Sequence, residues 1–311
     1  MTFLSKLRRP TFRNYFLISE KRIWLIVFFL VIAEVSVLIY NWFFQIYNIR
    51  VVGVITAVTA VLCGVIFCLY LEVKDNTLKH YEDVKFYTKM PFLGYIPSFK
   101  KIKDVRAIEL IAHNQPSSYL AEAFKEVKES LVASYRQAPL TTIAVTSSVP
   151  KEGKTIFACN LAIAFAQADE PTLLIDADIR KGDIAEKFGM GAAKGLTNIL
   201  SGESSFENAV VSTAIDNLSF LSAGSRVPNP NDLINSGILK DVFQEAKARF
   251  ARVIIDTPPL LTIGDTLILT KDIDILLLVA RIRHTFLDQI IAAKKTLGNK
   301  AKSIAVVVNG S

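Results

Sequence analysis

Two runs near the start of the chain, Ile23 to Phe44 and Val51 to Leu71, are almost wholly apolar. Each can cross a hydrocarbon layer of about 30 Å as a helix rising about 1.5 Å per residue, so the pattern predicts a transmembrane hairpin with spans at about 23–44 and 51–71. The pattern then changes. Thr141 to Ser147, Pro171 to Asp176, Ala251 to Asp256, Ile273 to Ala280 and Ser303 to Val308 are short runs that read as buried strands. Between them, Ser118 to Ser134 places Leu120, Phe124, Val127 and Leu131 at helical spacing and leaves Glu122, Lys125, Glu126 and Lys128 on the other faces. Lys154 to Gln167 and Asp288 to Leu297 also read as helices. Strands alternating with helices predict an α/β fold with a doubly wound, mainly parallel sheet.

The organisation predicted is a basic N-terminus over 1–22, the hairpin over 23–71, a linker over 72–115 and a globular domain over 116–311. Within the linker, Met90 to Pro97 reads as an extended or turning segment bounded by prolines.

Composition supports a membrane contact. The apolar fraction of the 311 residues is 51%, high for a purely soluble protein. Lys6, Arg8, Arg9, Arg13, Lys21 and Arg22 precede the first run, whereas Gln45 to Arg50 carries only Arg50. The positive-inside rule therefore places both termini in the cytoplasm. Trp24, Tyr40, Trp42 and Tyr47 fall near the expected span ends, where amphipathic rings favour the headgroup region. The net charge of +7 is read as attraction to anionic lipid, not to nucleic acid. Glu34 lies within the first run; a polar partner on a neighbouring helix, protonation and solitary neutralisation are the alternatives. A cleaved signal peptide fits worse, because the first run is long and a second follows at once. Cys63, Cys68 and Cys159 have neither metal-ligand spacing nor a disulfide pattern, and His80, His113 and His284 are too scattered to read as metal ligands.

The chemistry centres on Ser148-Val149-Pro150-Lys151-Glu152-Gly153-Lys154-Thr155, which joins a predicted strand to a predicted helix. The phosphate-loop pattern is G-x-x-x-x-G-K-[ST]; Gly153, Lys154 and Thr155 fit it, and Ser148 takes the first glycine position. In such a loop the backbone amides and the helix N-terminus surround phosphates, the lysine reaches the terminal phosphates and the hydroxyl ligates Mg²⁺. Asp176, Asp178 and Asp256 lie at or just past the C-terminal ends of predicted strands, where an open parallel sheet forms its ligand crevice. Phosphoryl transfer needs charge neutralisation and positioning. Lys154 is expected on the phosphates, Thr155 on Mg²⁺, and Asp256 on the metal directly or through water. Asp176 or Asp178 would contact the metal or act as base.

These segments carry a family resemblance. From about Glu72 to Asn309 the chain resembles the bacterial tyrosine kinases of exopolysaccharide and capsule assembly, P-loop ATPases related to MinD and ParA. The matching segments are 75–79, 93–97, 122–125, the loop itself, 174–180, 195–196, 228–233 and 254–259. The resemblance implies ATP and Mg²⁺ as cofactors. It assigns Lys154 and Thr155 to Walker A, Asp176 and Asp178 to Walker A′ and Asp256 to Walker B, and it puts Asn309 near the nucleotide base. Glu122, Lys125 and Lys128 look like the family's E-x-x-R-x-x-R oligomerisation motif with lysines for arginines, which implies a homo-oligomer while removing the bidentate fork.

Two departures shape the functional expectation. Lys151 stands where relatives have glycine, adding charge beside the phosphates or distorting the turn if φ must be positive. The last tyrosine is Tyr135, before the loop, so the family's tail of phosphorylated tyrosines is expected to be missing. With only Gln45 to Arg50 between the spans, control of sugar-chain length is expected to need a separate polysaccharide co-polymerase or polymerase. The leading expectation is an ATP-dependent tyrosine-protein-kinase-like protein of the bacterial inner membrane. A MinD-like ATPase switch without tyrosine phosphorylation and a non-catalytic nucleotide-binding scaffold are the alternatives.

Overall fold

The computed structural model describes residues 28, 31–32, 34–39, 49–99, 108, 110–137, 140–190, 194–234, 237–262, 265–269, 272–298 and 301–310. The six basic residues before the first apolar run, most of that run, and Trp24, Tyr40, Trp42 and Tyr47 lie outside the described residues. The chain divides into two units, Met1–Asn76 and Thr77–Ser311.

The first unit contains α1 (Ile49–Lys74), a continuous helix of 26 residues. Its Val54, Val58, Leu62, Ile66 and Leu69 side chains are exposed. The fully described stretches of α1 are shorter than the helix itself, and among the described residues no helix is long and apolar enough to cross a membrane.

The second unit begins with α2 (Tyr81–Thr88) and β1 (Phe92–Ile96). There follow α3 (Tyr119–Ser134), β2 (Thr142–Ser147), α4 (Lys154–Ala166) and β3 (Thr172–Asp176). After β4 (Val210–Ser212) and β5 (Leu218–Leu221) come α5 (Ile238–Arg249), β6 (Arg252–Asp256), β7 (Ile275–Arg281), α6 (Leu287–Leu297) and β8 (Ile304–Asn309). The eight strands form one sheet in the order β1-β8-β7-β2-β6-β3-β5-β4, parallel throughout except for the antiparallel β4–β5 pair. The mainly parallel α/β reading holds.

The central strands are buried on both faces, which explains their continuous apolar runs. One core cluster includes Ala144, Ile255, Leu278 and Val308; the other includes Ile143, Val145, Leu277 and Phe157. Adjacent residues on each strand therefore feed opposite layers, as the two-residue strand period requires.

Within the segment expected as a linker, residues 92–96 join the sheet of the second unit. Phe92–Ile96, expected as an extended or turning segment, is an edge strand pairing in parallel with β8. Gly94 permits α3 to approach: a Cβ there would lie 2.6 Å from Val127 Cγ2. Asn160 of α4 accepts the Ala112 amide and donates to the Ile108 carbonyl, both at 2.9 Å, so residues 108–112 are tied to the helix that leaves the phosphate loop.

Candidate functional site

Strand register assembles the site. β3 and β6 pair so that Asp176 stands opposite Asp256, while β2 pairs with β6 and leads directly into the loop 148–153. Residues distant in sequence thereby meet at the C-terminal edge of one parallel sheet, the usual ligand position of this architecture.

Gly153 starts α4 from a left-handed conformation, φ 92°, and a Cβ on it would lie 2.2 Å from Asn309 Nδ2. Both conditions select glycine. Lys151 also has a positive φ, 67°, so this position adopts the conformation that glycine favours, as the resemblance implies. Among the described residues, Ser148 Oγ is buried without a hydrogen-bond partner. An orphaned polar group of this kind costs roughly 1–3 kcal/mol, which a phosphate or water contact offsets.

The predicted acids and cation meet around Lys154. Its Nζ donates to Asp178 Oδ2 and Asp256 Oδ2, each at 3.2 Å, and to Thr155 Oγ1 at 3.2 Å. Thr155 Oγ1 donates to Asp256 Oδ2 at 2.8 Å. Burial disfavours the lysine's charge, but Asp256 and Asp178 outweigh it and hold the Lys154 pKa above the ordinary value.

Asp176 is used differently. Its Oδ1 accepts the Asp178 amide and its Oδ2 the Ile184 amide, both at 3.2 Å. Burial, aided by the neighbouring Asp256 charge, pushes its carboxyl up to about 7. Asp176 shapes the loop that carries Asp178, whereas Asp178 faces the lysine.

The remaining predicted residues fall into two groups. Val149 and Glu152 are joined within the loop, with the Val149 amide donating to Glu152 Oε2 at 2.8 Å. Asn309 Nδ2 donates to the Glu152 carbonyl at 3.1 Å, so Asn309 adjoins the loop directly. Glu122, Lys125 and Lys128 lie apart on α3: Lys125 pairs with Glu122 and Lys128 with Glu129, each at 3.0 Å.

Arg281, at the end of β7, and His284 and Thr285, in the turn that follows, also touch the loop, and the sequence reading gives them no role there. No local signal marks them, because the contacts arise from sheet order.

The site fits magnesium nucleotide chemistry. Mg²⁺ favours hard oxygen donors and typically takes one or two from protein, the rest from phosphates and water. Thr155 Oγ1 and Asp256 Oδ2 are such donors. Among the described residues no group of three His, Cys, Asp or Glu could hold a metal unaided. A magnesium ion here would depend on nucleotide oxygens.

Comparison with known proteins agrees with this geometry. Residues 140–297, just over half the chain, match the AAA domain family. The chain is 35% identical over 202 residues to "Tyrosine-protein kinase YwqD" of Bacillus subtilis, covering 65% of this chain and 85% of that protein. It is 29% identical over 240 residues to "Tyrosine-protein kinase ptk" of Acinetobacter johnsonii, covering 76% of this chain but about a third of that relative, 32%. Among solved structures, the chimerical protein CapA2B2 is 30% identical, with TM-score 0.68 over 74% of this chain and 98% of the other. The chain therefore belongs to the bacterial tyrosine-kinase family of P-loop proteins, and is an ATP-dependent phosphotransferase or ATPase.

Proposed function

We propose that this protein is a membrane-anchored, Mg-ATP-dependent kinase of exopolysaccharide or capsule assembly that transfers the γ-phosphate of ATP to tyrosine. The observation that carries the reading is the position of Lys154 Nζ, within 3.2 Å of both Asp178 and Asp256, with Thr155 on the same Asp256 oxygen. A cation, two hard oxygen donors and a second carboxylate occupy one crevice beside a phosphate loop.

In this reading the loop Ser148 to Thr155 cradles the phosphates and Lys154 leaves its carboxylates to neutralise the terminal ones. Thr155 and Asp256 would hold Mg²⁺, which would neutralise phosphate charge, with Asp176 beside them accepting the Asp178 and Ile184 amides. Asp178 is the assigned base: it accepts the tyrosine proton as the phenolate oxygen bonds to phosphorus and the bond to ADP breaks. Asn309 borders the nucleotide beside Gly153.

The membrane assignment is a two-span hairpin in the bacterial inner membrane, with both termini cytoplasmic. Its support is the apolar sequence of both runs, the excess of cations before the first, and the continuity of α1 with its exposed apolar side chains. The face of α3 bearing Glu122, Lys125 and Lys128 is assigned to self-association, and a separate polysaccharide co-polymerase or polymerase is the expected partner.

Labelled ATP and Mg²⁺ added to purified protein, with phosphotyrosine and released phosphate followed for the parent and Lys154→Ala, test the reading. Phosphotyrosine that vanishes in the variant is the expected result. Phosphate release alone identifies an ATPase switch, and nucleotide binding without either product a scaffold. Release of the intact chain from membranes by alkaline carbonate would sink the hairpin.

A further inference from the structure

Three successive carbonyls of the phosphate loop are each held by a side chain from beyond the loop. His284 Nε2 lies 3.0 Å from the Pro150 carbonyl, a donor in the Nε2–H tautomer. Arg281 Nη1 donates to the Lys151 carbonyl at 3.0 Å, and Asn309 Nδ2 to the Glu152 carbonyl at 3.1 Å. Thr285 completes the set: its hydroxyl donates to Glu152 Oε1 and accepts the Arg281 amide at 2.8 Å. Glu152 is fully buried, and its other oxygen holds the Val149 amide.

The planar trans peptide gives these contacts a directional consequence. A carbonyl and the next residue's amide point to opposite sides of the chain. Holding the carbonyls of Pro150, Lys151 and Glu152 outward therefore turns the amides of Lys151, Glu152 and Gly153 the other way, toward the face where phosphate binds in the reading above. The constraint acts on a left-handed residue, because Lys151 at φ 67° occupies a region that the Cβ of a non-glycine residue disfavours.

The turn is itself anchored. The Arg283 amide donates to the Leu78 carbonyl and the Leu78 amide to the Thr285 carbonyl, both at 2.7 Å. Thr77 also bridges Phe286. The turn's outer edge is thus fixed by the first residues of the second unit, and its inner edge meets the loop.

We propose that Arg281, His284 and Thr285 are positioning residues for nucleotide phosphate recognition: they grip the outward carbonyls and the Glu152 carboxylate and keep the loop amides turned toward the ligand with Lys151 left-handed. The proposal rests on the ATP-site reading.

Binding of Mg-ADP to the full-length chain, measured by calorimetry, tests it with Arg281→Met, Thr285→Val and Thr285→Ser, each made with Lys151 and with Lys151→Gly. Nucleotide-free melting temperatures report folding. Arg281→Met and Thr285→Val are each expected to weaken binding about tenfold, and Thr285→Ser to stay within about twofold of the parent. Glycine at 151 removes the strain, so Lys151→Gly is expected to shrink the Arg281→Met loss to about threefold or less. Parent-like affinity in Arg281→Met and Thr285→Val overturns the proposal, as does an undiminished Arg281→Met loss on the glycine background or a Thr285→Ser no better than valine. If Thr285→Val fails to fold, Arg281→Met, at a partly exposed position, decides alone. A parent that binds no nucleotide overturns the ATP-site reading instead, which separates the two failures.

Discussion

Thr155 Oγ1 donates to Asp256 Oδ2 across 2.8 Å although the two residues are 101 apart in the chain. The contact joins the loop that would hold phosphate to the carboxylate that would hold metal. Asp256→Asn keeps the shape and removes the charge, while Asp178 still pairs Lys154. Magnesium-dependent ADP affinity is expected to fall at least about tenfold, with magnesium-free affinity little changed. Calorimetric titrations with and without MgCl₂ check this; equal losses in both would separate Asp256 from the metal.

Burial pushes the Glu152 carboxyl up to about 7. The folded chain then keeps a proton that the unfolded chain, with a glutamate pKa of about 4.3, has released. Stability contributed this way is present at low pH and declines as pH rises from about 5 through 7. The nucleotide-free parent is therefore expected to melt at a higher temperature at about pH 5.5 than at about pH 7.5. Glu152→Gln should flatten the slope by up to roughly 1.4 kcal/mol per pH unit. Asp176, raised in the same direction, leaves a residual slope; identical slopes in parent and variant would contradict the assignment.

Asp274 lies at the opposite end of β2. Its carboxylate accepts the Thr141 amide at 3.1 Å, the Thr142 amide at 2.9 Å and the Thr142 hydroxyl at 3.0 Å, and pairs with Lys247 at 3.3 Å. Partial burial opposes its charge, but these partners hold its pKa below the usual carboxylate value. Asp274→Ala is expected to destabilise by about 2–3 kcal/mol while ADP affinity stays within about twofold. Denaturant unfolding and ADP titration together separate this structural acid from those of the site.

Gly94 and Val127 give a packing prediction. A Cβ at Gly94 would stand 2.6 Å from a methyl of Val127, which is fully buried and stiff at χ1. Gly94→Ala is expected to cost about 1–3 kcal/mol by pushing β1 away from α3. Adding Val127→Ala should recover part of the loss, and additive losses in the double variant would place the strain elsewhere.

Much of the fold was legible because its signals are local. The runs at 141–147, 171–176 and 251–256 are buried on both faces, so apolar continuity alone marked them to within a residue or so. Phe92–Ile96 was harder: five residues between prolines carry a weak pattern, and they form a strand because β8 offers an edge with unpaired amides and carbonyls. Val210–Ser212 and Leu218–Leu221 were missed for a similar reason, being short strands completed by their partners.

The site divides along the same line. Gly153-Lys154-Thr155 after a strand and before a helix, with acids at the ends of two later strands, marked a candidate phosphate loop and its candidate acids in the sequence, because a phosphate loop needs glycine, lysine and a hydroxyl at fixed local spacing. Sequence could not say that Asp178 faces Lys154 while Asp176 accepts two amides, since both lie within one short segment and only the course of the chain after β3 separates them. Nor could it connect Thr285 with Glu152, 133 residues away. That contact exists because β7 is the neighbour of β2 in the sheet, and strand order is set by how the whole core packs, which no local pattern encodes.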